Sequence, residues 1–328
     1  KIIDGNFYPS ERSKNSNMSH RPIGIGIQGK ADMYCMLDLS YESEEADALS
    51  KKIAETMYYA TLLESCELAK KDGPYSSFEG SPFSQGILQY HMWGLTEKDL
   101  TAGLPWESLI EDIKKYGTRN SLLTTIMPTA STSQIMDNNE CTEPYTYPLY
   151  LRQTMAGVFT VINSHLVEKL IKLGLWNEKV INTMMYDNGS IQYIPEIPDH
   201  IKKMFKTAFE LGSRPIINRA LSIAPFIDQS HSLNLYFTQP DTLKLHSALV
   251  YSWKRGIKTG LYYLHSQPAA DPIKFGLDMS IVKKIEKERQ AYNIANGTDY
   301  PIRRFGKSQT TKSYSKTFDK PDCPMCLG

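Results

Sequence analysis

Two adjacent tyrosines, Tyr262 and Tyr263, are suited by type and position to one-electron chemistry. They lie in the segment TGLYYLH (259–265), whose apolar and aromatic residues predict a β-strand. In a regular strand neighbouring side chains point to opposite faces, which would give one core tyrosine and one surface tyrosine. If the backbone leaves β geometry there, the rings can stack instead, and stacked phenols can pass an oxidising equivalent by coupled loss of an electron and a proton. The sequence leaves both interpretations open.

A short run of hydroxyl side chains, which we call the hydroxyl loop, consists of Thr129, Ala130, Ser131 and Thr132. It follows residues 121–127 (SLLTTIM), an apolar, β-branched run that predicts an interior strand. Where a strand ends and a helix begins, free backbone N–H groups and hydroxyls converge, which suits a bound phosphate. Because Ser and Thr are also preferred as ordinary helix N-caps, local chemistry alone supports either role.

A C-x-x-C pair, Cys323 and Cys326, lies two residues from the last residue of the sequence. Such a pair can be half of a zinc site, but no second pair lies near it and the surrounding segment contains no histidine. A dithiol–disulfide couple is the better interpretation, because this spacing lowers a thiol's pKa and permits ring closure. A tether of about 30 residues would have a reach of roughly 30 Å and could carry the pair between two partners.

Two further patterns have ordinary explanations beside the chemical ones. Cys141 lies between Asn139 and Glu143, so a thiol is flanked by an amide and a carboxylate; it is either part of a catalytic set or a small polar filler of a loop. Residues 24–29 (GIGIQG) fit the G-x-G-x-x-G pattern of dinucleotide sites. A close strand-to-helix turn that needs small residues explains this pattern equally well, and we favour that explanation. The seven histidines show no metal-ligand spacing, and we interpret each as structural.

The elements that must position these residues alternate between strands and long helices, which predicts an α/β domain with parallel strands. The pattern predicts strands at 21–29, 121–127 and 259–265, and an irregular segment over 1–20. Helices are predicted at 42–71, 105–117, 164–174, 177–187, 198–211, 214–223, 240–255 and 280–293. From about residue 297 the chain is polar and charged, and such a segment should form a mobile tail.

The composition excludes several classes of protein. The net charge of +1 gives no sign of a nucleic-acid-binding coat or a polybasic membrane patch. No run approaches the about 18 apolar residues of a membrane-spanning helix. Five cysteines in 328 residues do not suggest a secreted disulfide framework, so a reducing, cytoplasmic setting is expected. The first residues are neither a signal peptide nor a methionine start, and they read like the middle of a domain.

Long stretches in the same order resemble the large subunit of class I ribonucleotide reductase, of the eukaryotic and large-DNA-virus type. The resemblance runs from about Ile2 to Leu277 and resumes at the final C-x-x-C. The stretches that carry it are HRPIGIGIQG (20–29), GSPFSQGIL (80–88), RNSLLTTIMPTASTSQI (119–135), NNECTEPYT (138–146), NGSIQYIPEIP (188–198), FIDQSHSLNL (226–235) and WKRGIKTGLYYLHSQPAADP (253–272).

The resemblance implies a fold and an activity. The family fold is a ten-stranded α/β barrel of two five-stranded halves; residues 1–277 would supply the later half, and 278–328 a flexible carboxy-terminal tail. The implied activity is reduction of ribonucleoside diphosphates to 2′-deoxyribonucleoside diphosphates by a thiyl radical. The alternative is a catalytically incomplete half-barrel that binds a small subunit or a nucleotide. Relatives that use vitamin B12 or a glycyl radical are disfavoured, because neither needs a tyrosine pair at this position.

The resemblance also implies roles for individual residues. The hydroxyl loop would cradle the substrate diphosphate, and Tyr262 and Tyr263 would relay a radical from a metal-containing small subunit. Cys323 and Cys326 would re-reduce an active-site disulfide and be reduced in turn by thioredoxin or glutaredoxin. The family's radical cysteine and active-site redox cysteines lie before the region matched by Lys1, so Cys141 is not expected to be the thiyl residue. We expect the chain to bind no metal, nucleic acid or membrane, and to form a large-subunit homodimer.

Overall fold

The computed structural model describes residues 1–155, 157–239, 241–267 and 276–302 of the chain. The chain divides into two units, Lys1–Asp278 and Met279–Gly328. In the second unit the described part is one helix, Met279–Asn296, and the residues that follow it to 302. Because residues 303–328 lie outside the described ranges, the division into a barrel domain and a mobile tail stays a prediction.

Four segments of the first unit run parallel to one another in chain order, at 23–25, 123–126, 229–237 and 262–266. Single parallel bridges join Ile25 to Thr124 and Ile126 to His231. The last two segments contain the paired strands β3 (Leu235–Phe237) and β4 (Leu264–Ser266), which are also parallel. An antiparallel hairpin of β1 (Leu149–Thr154) and β2 (Gly157–Ile162) stands apart from these four parallel segments.

Helices cover much of the rest of the described chain. They are α1 (Ile2–Gly5), α2 (Glu11–His20), α3 (Lys30–Met36), α4 (Glu44–Asp72), α5 (Trp106–Tyr116), α6 (Thr132–Ile135), α7 (Ser164–Lys172), α8 (Glu178–Tyr186), α9 (Asp199–Met204), α10 (Ala208–Leu211), α11 (Ser213–Ile223), α12 (Thr242–Lys254) and α13 (Met279–Asn296). Short 3-10 helices lie at Phe83–Gln85, Gln89–Trp93, Glu97–Asp99 and Ala224–Phe226.

The long helix α4 follows the sequence signals closely. Ser43 precedes it, and its side chain accepts a hydrogen bond from the backbone N–H of Ala46 at 3.1 Å. Gly73 ends it with a φ of 80°, which a glycine adopts without steric cost. Tyr58 and Leu62 on one face are fully buried, and the helix packs against α5 and α11. Caps and apolar spacing agree here, so the predicted helix over 42–71 is confirmed.

Several other predicted elements need correction. The predicted helix over 198–211 is two helices, α9 and α10, because Thr207 begins a new helix with a capping box to Glu210. The predicted strands at 21–29 and 121–127 appear as isolated bridges, and the predicted strand at 259–265 shortens to β4. The segment 1–20, expected to be irregular, contains α2, which has no buried residue and so shows no apolar stripe. The β1–β2 hairpin was not predicted.

A close backbone approach explains the glycines of residues 24–29. A Cβ added to Gly26 would lie 2.3 Å from the backbone oxygen of Thr125, and one added to Gly24 would lie 2.7 Å from the side chain of Thr125. Gly29 then starts α3 with a φ of 73°. Gly24 and Gly26 therefore reflect tight packing of the first parallel segment against the second, and Gly29 alone lies at the predicted strand-to-helix turn.

Two polar side chains at the start of the third segment, Asp228 and Gln229, bind backbone groups of the first two segments. The carboxylate of Asp228 accepts hydrogen bonds from the backbone N–H groups of Leu123 and Thr124 at 2.8 and 2.9 Å. The Gln229 amide donates to the backbone oxygen of Ile23 at 2.7 Å. These side chains bind backbone groups that a regular strand ladder would pair with other backbone groups. The segments can therefore lie side by side although few of their residues form regular strands.

Substitution of Gly26 by alanine tests this close approach. Because the new methyl group would overlap a backbone oxygen, we expect Gly26→Ala to lower the free energy of unfolding by about 3 kcal/mol, at the upper end of ordinary overpacking. Gly5→Ala is the matched control, since no atom lies within 4 Å of its added Cβ. Urea denaturation followed by fluorescence measures both, and equal stability of the two variants would contradict the packing described.

Candidate active site

The two tyrosines contact each other outside regular β geometry. Their ring centroids are 4.3 Å apart with the planes inclined at 63°, and both rings are about half exposed, Tyr262 at 47% and Tyr263 at 56%. The alternative of one core and one surface tyrosine is therefore wrong. The expected stacking is also corrected, because the rings meet edge to face rather than face to face.

The neighbouring segment holds the backbone of this pair. Tyr262 donates its backbone N–H to the oxygen of Leu233 at 2.7 Å, and the backbone oxygen of Tyr263 accepts from Leu235 at 3.0 Å. The N–H of Tyr263 binds the side-chain oxygen of Asn234 at 3.2 Å. The side-chain amide thus takes the place of a backbone acceptor, and β4 begins one residue later, at Leu264. The neighbouring Tyr263 phenol raises the pKa of Tyr262, so the two phenols also interact electrostatically.

The residues of the hydroxyl loop point in different directions. Thr129 is buried, and its hydroxyl accepts a hydrogen bond from the backbone N–H of Cys141 at 2.8 Å. Ser131 is exposed and precedes α6, but its side chain makes no capping hydrogen bond to that helix. The Thr132 hydroxyl, also exposed, donates to Gln28 at 3.0 Å. The N-cap alternative is therefore not supported, and the Ser131 hydroxyl is presented outward beside exposed Ala130.

The hydroxyl loop follows the second parallel segment, and the tyrosine pair begins the fourth; both segments are joined to the third. Ile126, three residues before the loop, bridges to His231. The Thr259 hydroxyl donates to the backbone oxygen of His231 at 3.0 Å, and Tyr262 binds Leu233 two residues further on. The hydroxyl loop therefore lies at the carboxyl end of its segment, the end at which α/β folds place their ligands, whereas the tyrosine pair lies at the amino end of β4.

Asn139, Cys141 and Glu143 do not form a catalytic set. The Asn139 amide donates to the backbone oxygen of Glu143 at 2.7 Å, while the Cys141 sulfur contacts the Ser232 hydroxyl at 3.7 Å. The Glu143 carboxylate accepts from the Tyr236 hydroxyl at 3.2 Å. The three side chains thus turn to three different partners, helped by a positive φ of 50° at Cys141.

The Cys141 thiol is in an environment that makes it unreactive. Burial, more than the nearby Glu143 carboxylate, raises its pKa to about 11, so the thiol stays protonated at neutral pH. Cys35 and Cys66 are free and buried as well. The described residues thus contain no exposed, acidic thiol that could act as a nucleophile or redox partner. Cys323 and Cys326 lie outside the described residues.

Three ionisable side chains near this segment are buried: Glu143, Lys30 and His231. Burial raises the pKa of Glu143 to about 8 and lowers that of Lys30 to about 7. His231 lies with Nε2 3.1 Å from the Thr142 hydroxyl, and burial lowers its pKa to about 3, so its ring is neutral. A neutral, hydrogen-bonded ring fits the structural role predicted for His231. No pattern in the sequence indicated that Glu143 and Lys30 would be buried, because their burial depends on contacts between distant segments.

The described ranges contain neither a metal cluster nor a membrane helix. No group of three or more His, Cys, Asp or Glu side chains within them could hold a metal ion. Within the same ranges, no helix is both long enough and apolar enough to cross a membrane.

Alkylation tests the assignment of Cys141 as a buried, inert thiol. With iodoacetamide at pH 8 we expect Cys141 to react at least about a hundredfold more slowly than an exposed thiol, since little thiolate forms and access is blocked. The thiol introduced by Ser131→Cys, on the exposed loop nearby, is the matched control. Peptide mass spectrometry resolves the two sites, and similar rates at both would show that Cys141 is accessible and activated.

Comparison with known proteins places the chain in a family. A family model described as "Ribonucleotide reductase, barrel domain" matches residues 1–263. The ribonucleoside-diphosphate reductase large subunit of Acanthamoeba polyphaga mimivirus is 47% identical over 287 residues, covering 88% of this chain and 33% of that protein. The large subunit of Danio rerio is 48% identical and covers 88% of this chain and 36% of its own length. Large chain 2 of Saccharomyces cerevisiae is 45% identical, with 95% and 36% covered.

The chain therefore spans about a third of the length of these relatives. Among solved structures, the class Id ribonucleotide reductase alpha subunit of Actinobacillus ureae matches with a TM-score of 0.62 and 23% identity, over 81% of this chain and 43% of that one. That likeness shows the fold, which is of the α/β barrel type. The extent of the family match settles the relationship: this chain belongs to the ribonucleotide reductase barrel-domain family.

Proposed function

We propose that this chain takes part in the reduction of ribonucleoside diphosphates to 2′-deoxyribonucleoside diphosphates, as a portion of a class I ribonucleotide reductase large subunit. Family membership and the printed names of the relatives give the reaction class. The observation that carries the proposal is the ring contact of Tyr262 and Tyr263. The backbone of this pair is hydrogen-bonded to the third parallel segment (229–237), which is bridged to the segment that leads into the hydroxyl loop.

The tyrosine pair supplies the radical relay in this proposal. Each transfer removes an electron and the phenolic proton together, which requires ring contact and a proton path between the oxygens. The 4.3 Å centroid separation supports the first requirement, and the rise in the pKa of Tyr262 that the Tyr263 phenol causes shows that the two phenols interact. Exposure of about half of each ring leaves a face for a radical-supplying small subunit, which holds the metal.

The hydroxyl loop positions the substrate. Ser131 offers an exposed hydroxyl donor to a diphosphate, and the exposed Thr132 hydroxyl would do so by giving up its bond to Gln28. Thr129 holds the loop to the segment of Cys141 from the inner side. The loop contains no charged side chain, so it orients the phosphate through dipoles and hydrogen bonds. Fixing the phosphate fixes the ribose, and a ribose held in near-attack geometry loses less entropy on reaching the transition state.

The remaining chemistry belongs to cysteines. A thiyl radical on a cysteine of the other half of a ten-stranded barrel takes the hydrogen from the ribose 3′ carbon, the 2′ hydroxyl leaves as water, and a cysteine pair supplies two electrons. Cys323 and Cys326 then restore that pair by thiol–disulfide exchange and are reduced by thioredoxin or glutaredoxin. A large-subunit homodimer in the cytoplasm completes the proposal.

A second candidate is a half-barrel that binds a small subunit or a nucleotide without catalysis. It is favoured by the burial of Cys35, Cys66 and Cys141, since none of these thiols is placed to become the thiyl residue. Adding a separately produced amino-terminal portion of a relative distinguishes the two. Restored turnover supports the reductase, and binding of diphosphate or small subunit without turnover supports the second candidate.

Removal of one phenol tests the relay. We expect Tyr262→Phe to lower turnover of the complemented complex by roughly two orders of magnitude or more, because a phenyl ring cannot be oxidised at the potential of a phenol. Tyr116→Phe, at another partly exposed tyrosine, should leave turnover unchanged. Deoxynucleotide formation is measured after circular dichroism has shown an intact fold. Retained activity in Tyr262→Phe would exclude the relay.

Removal of one hydroxyl tests the phosphate role. A hydrogen bond to a charged group contributes about 1.5–3 kcal/mol, so Ser131→Ala should raise KM for a ribonucleoside diphosphate roughly tenfold or more with kcat little changed. Ser76→Ala, at an exposed serine outside the loop, is the control. Steady-state kinetics separates KM from kcat. If KM for the diphosphate stays the same in Ser131→Ala, the loop does not bind the phosphate.

A further inference from the structure

A third tyrosine lies behind the exposed pair. Tyr236 of β3 is paired with His265 of β4 in the parallel register, so the two side chains lie side by side on one face of the strands. Their rings are stacked, with centroids 4.9 Å apart and planes inclined at only 13°. His265 in turn contacts Tyr263, with a centroid separation of 6.1 Å. The rings of Tyr262, Tyr263, His265 and Tyr236 therefore form a continuous series of contacts from the surface to the interior.

The inner end of this series differs sharply from the outer end. Tyr236 is 4% exposed, whereas the rings of Tyr262 and Tyr263 are about half exposed. On its far side Tyr236 meets Phe209 edge to face at 5.5 Å, and a phenyl ring is too hard to oxidise to continue the series. Phe209 in turn stacks on Tyr147, with ring centroids 5.5 Å apart, so Tyr236 is the last tyrosine of the series before a phenyl ring intervenes.

Tyr236 also has a proton acceptor in place. Its hydroxyl donates to the Glu143 carboxylate at 3.2 Å, and Glu143 is itself 5% exposed. A phenol can be oxidised near neutral pH only if its proton leaves, because the phenol radical cation is a strong acid. Burial raises the pKa of Glu143 to about 8, so the ionised carboxylate that can accept the phenolic proton predominates only above that pH, where it is a stronger base than an exposed carboxylate. The phenol and the base form a buried proton-transfer pair that no step of the relay uses.

We propose that Tyr236 is a third redox-active tyrosine, reached from Tyr263 through the ring of His265 and oxidised with transfer of its phenolic proton to Glu143. This inference rests on the proposed function, which supplies the oxidant as a radical at Tyr263. It adds to that function a side branch in which the oxidising equivalent is held away from solvent and from small reductants.

The step balances in atoms and charge. One electron moves from the Tyr236 phenol to the Tyr263 phenoxyl radical, and the O–H bond of Tyr236 breaks as its proton passes to a Glu143 carboxylate oxygen. Tyr263 takes up a proton from solvent at its exposed face and becomes a phenol again. Tyr236 is then the neutral phenoxyl radical and Glu143 the carboxylic acid. The reverse transfer returns the equivalent to Tyr263, and His265 is unchanged throughout.

A trap for the radical tests the branch in the complete complex with its radical-supplying subunit. The replacement Tyr236→3-aminotyrosine introduces a ring that is more easily oxidised and holds the radical for detection by electron paramagnetic resonance. Above the Glu143 pKa of about 8, where its carboxylate is mostly ionised, we expect an aminotyrosyl signal at position 236 that falls by about tenfold or more in each of three backgrounds, Tyr263→Phe, His265→Leu and Glu143→Gln. Glu143→Gln keeps the size and the hydrogen-bond acceptor but removes the base.

Two controls separate this inference from the proposed function. Tyr58→3-aminotyrosine places the trap at another buried, hydrogen-bonded tyrosine of a different hydrophobic cluster, and it should give no signal. Tyr263→3-aminotyrosine reports whether the radical reaches the exposed tyrosine pair. Its signal should persist when Glu143→Gln is added, and that persistence also shows that the Glu143→Gln variant folds.

The outcomes are distinct. A signal at 263 without one at 236 overturns the branch and leaves the relay standing. A signal at 236 that survives His265→Leu or Glu143→Gln overturns the assigned route. Signals at neither position overturn the relay and the branch together.

Discussion

The close parallel packing of four chain segments is the constraint on which the rest of the structure depends. Glycines at 24 and 26 let the first segment lie against the backbone of the second, and the side chains of Asp228 and Gln229 bind backbone groups of both. Few residues form a regular strand ladder, so side chains rather than neighbouring backbone accept or donate some of the hydrogen bonds that hold the segments together. The hydroxyl loop follows the second segment and the tyrosine pair begins the fourth, and both of these segments are held to the third.

The sequence predicts well those helices and turns whose signals lie within a few residues of each other. Long helices such as α4 carry caps and an apolar stripe within a few residues of each other, and the strand-to-helix turn predicted at residues 24–29 is present at Gly29. It failed where the deciding contact comes from far along the chain. The hydroxyl of Thr129 faces inward because the backbone of Cys141 binds it, and Tyr263 leaves the strand because Asn234 offers a side-chain acceptor. Neither contact has a spacing that a sequence pattern could reveal.

The contrast between exposed phenols and buried thiols follows from the same arrangement. The tyrosine pair lies where β4 has not yet begun, so its rings stay half exposed and open to a partner. The thiols of Cys35, Cys66 and Cys141 are enclosed, and burial raises the pKa of each. Within the described part of the chain, one-electron chemistry is thus open to tyrosines, whereas thiolate chemistry is suppressed.

The segment 139–143 shows how a motif with attractive spacing can serve a different purpose. Its amide, thiol and carboxylate diverge, and two of its residues hold groups of other segments: the backbone N–H of Cys141 donates to the Thr129 hydroxyl of the hydroxyl loop, and the Glu143 carboxylate accepts from the Tyr236 phenol. Cys141, Thr142 and Glu143 are all buried, so three consecutive residues connect the hydroxyl loop to β3 in the interior. Because these contacts fix the segment between two other parts of the chain, its amide, thiol and carboxylate are not free to converge on one substrate.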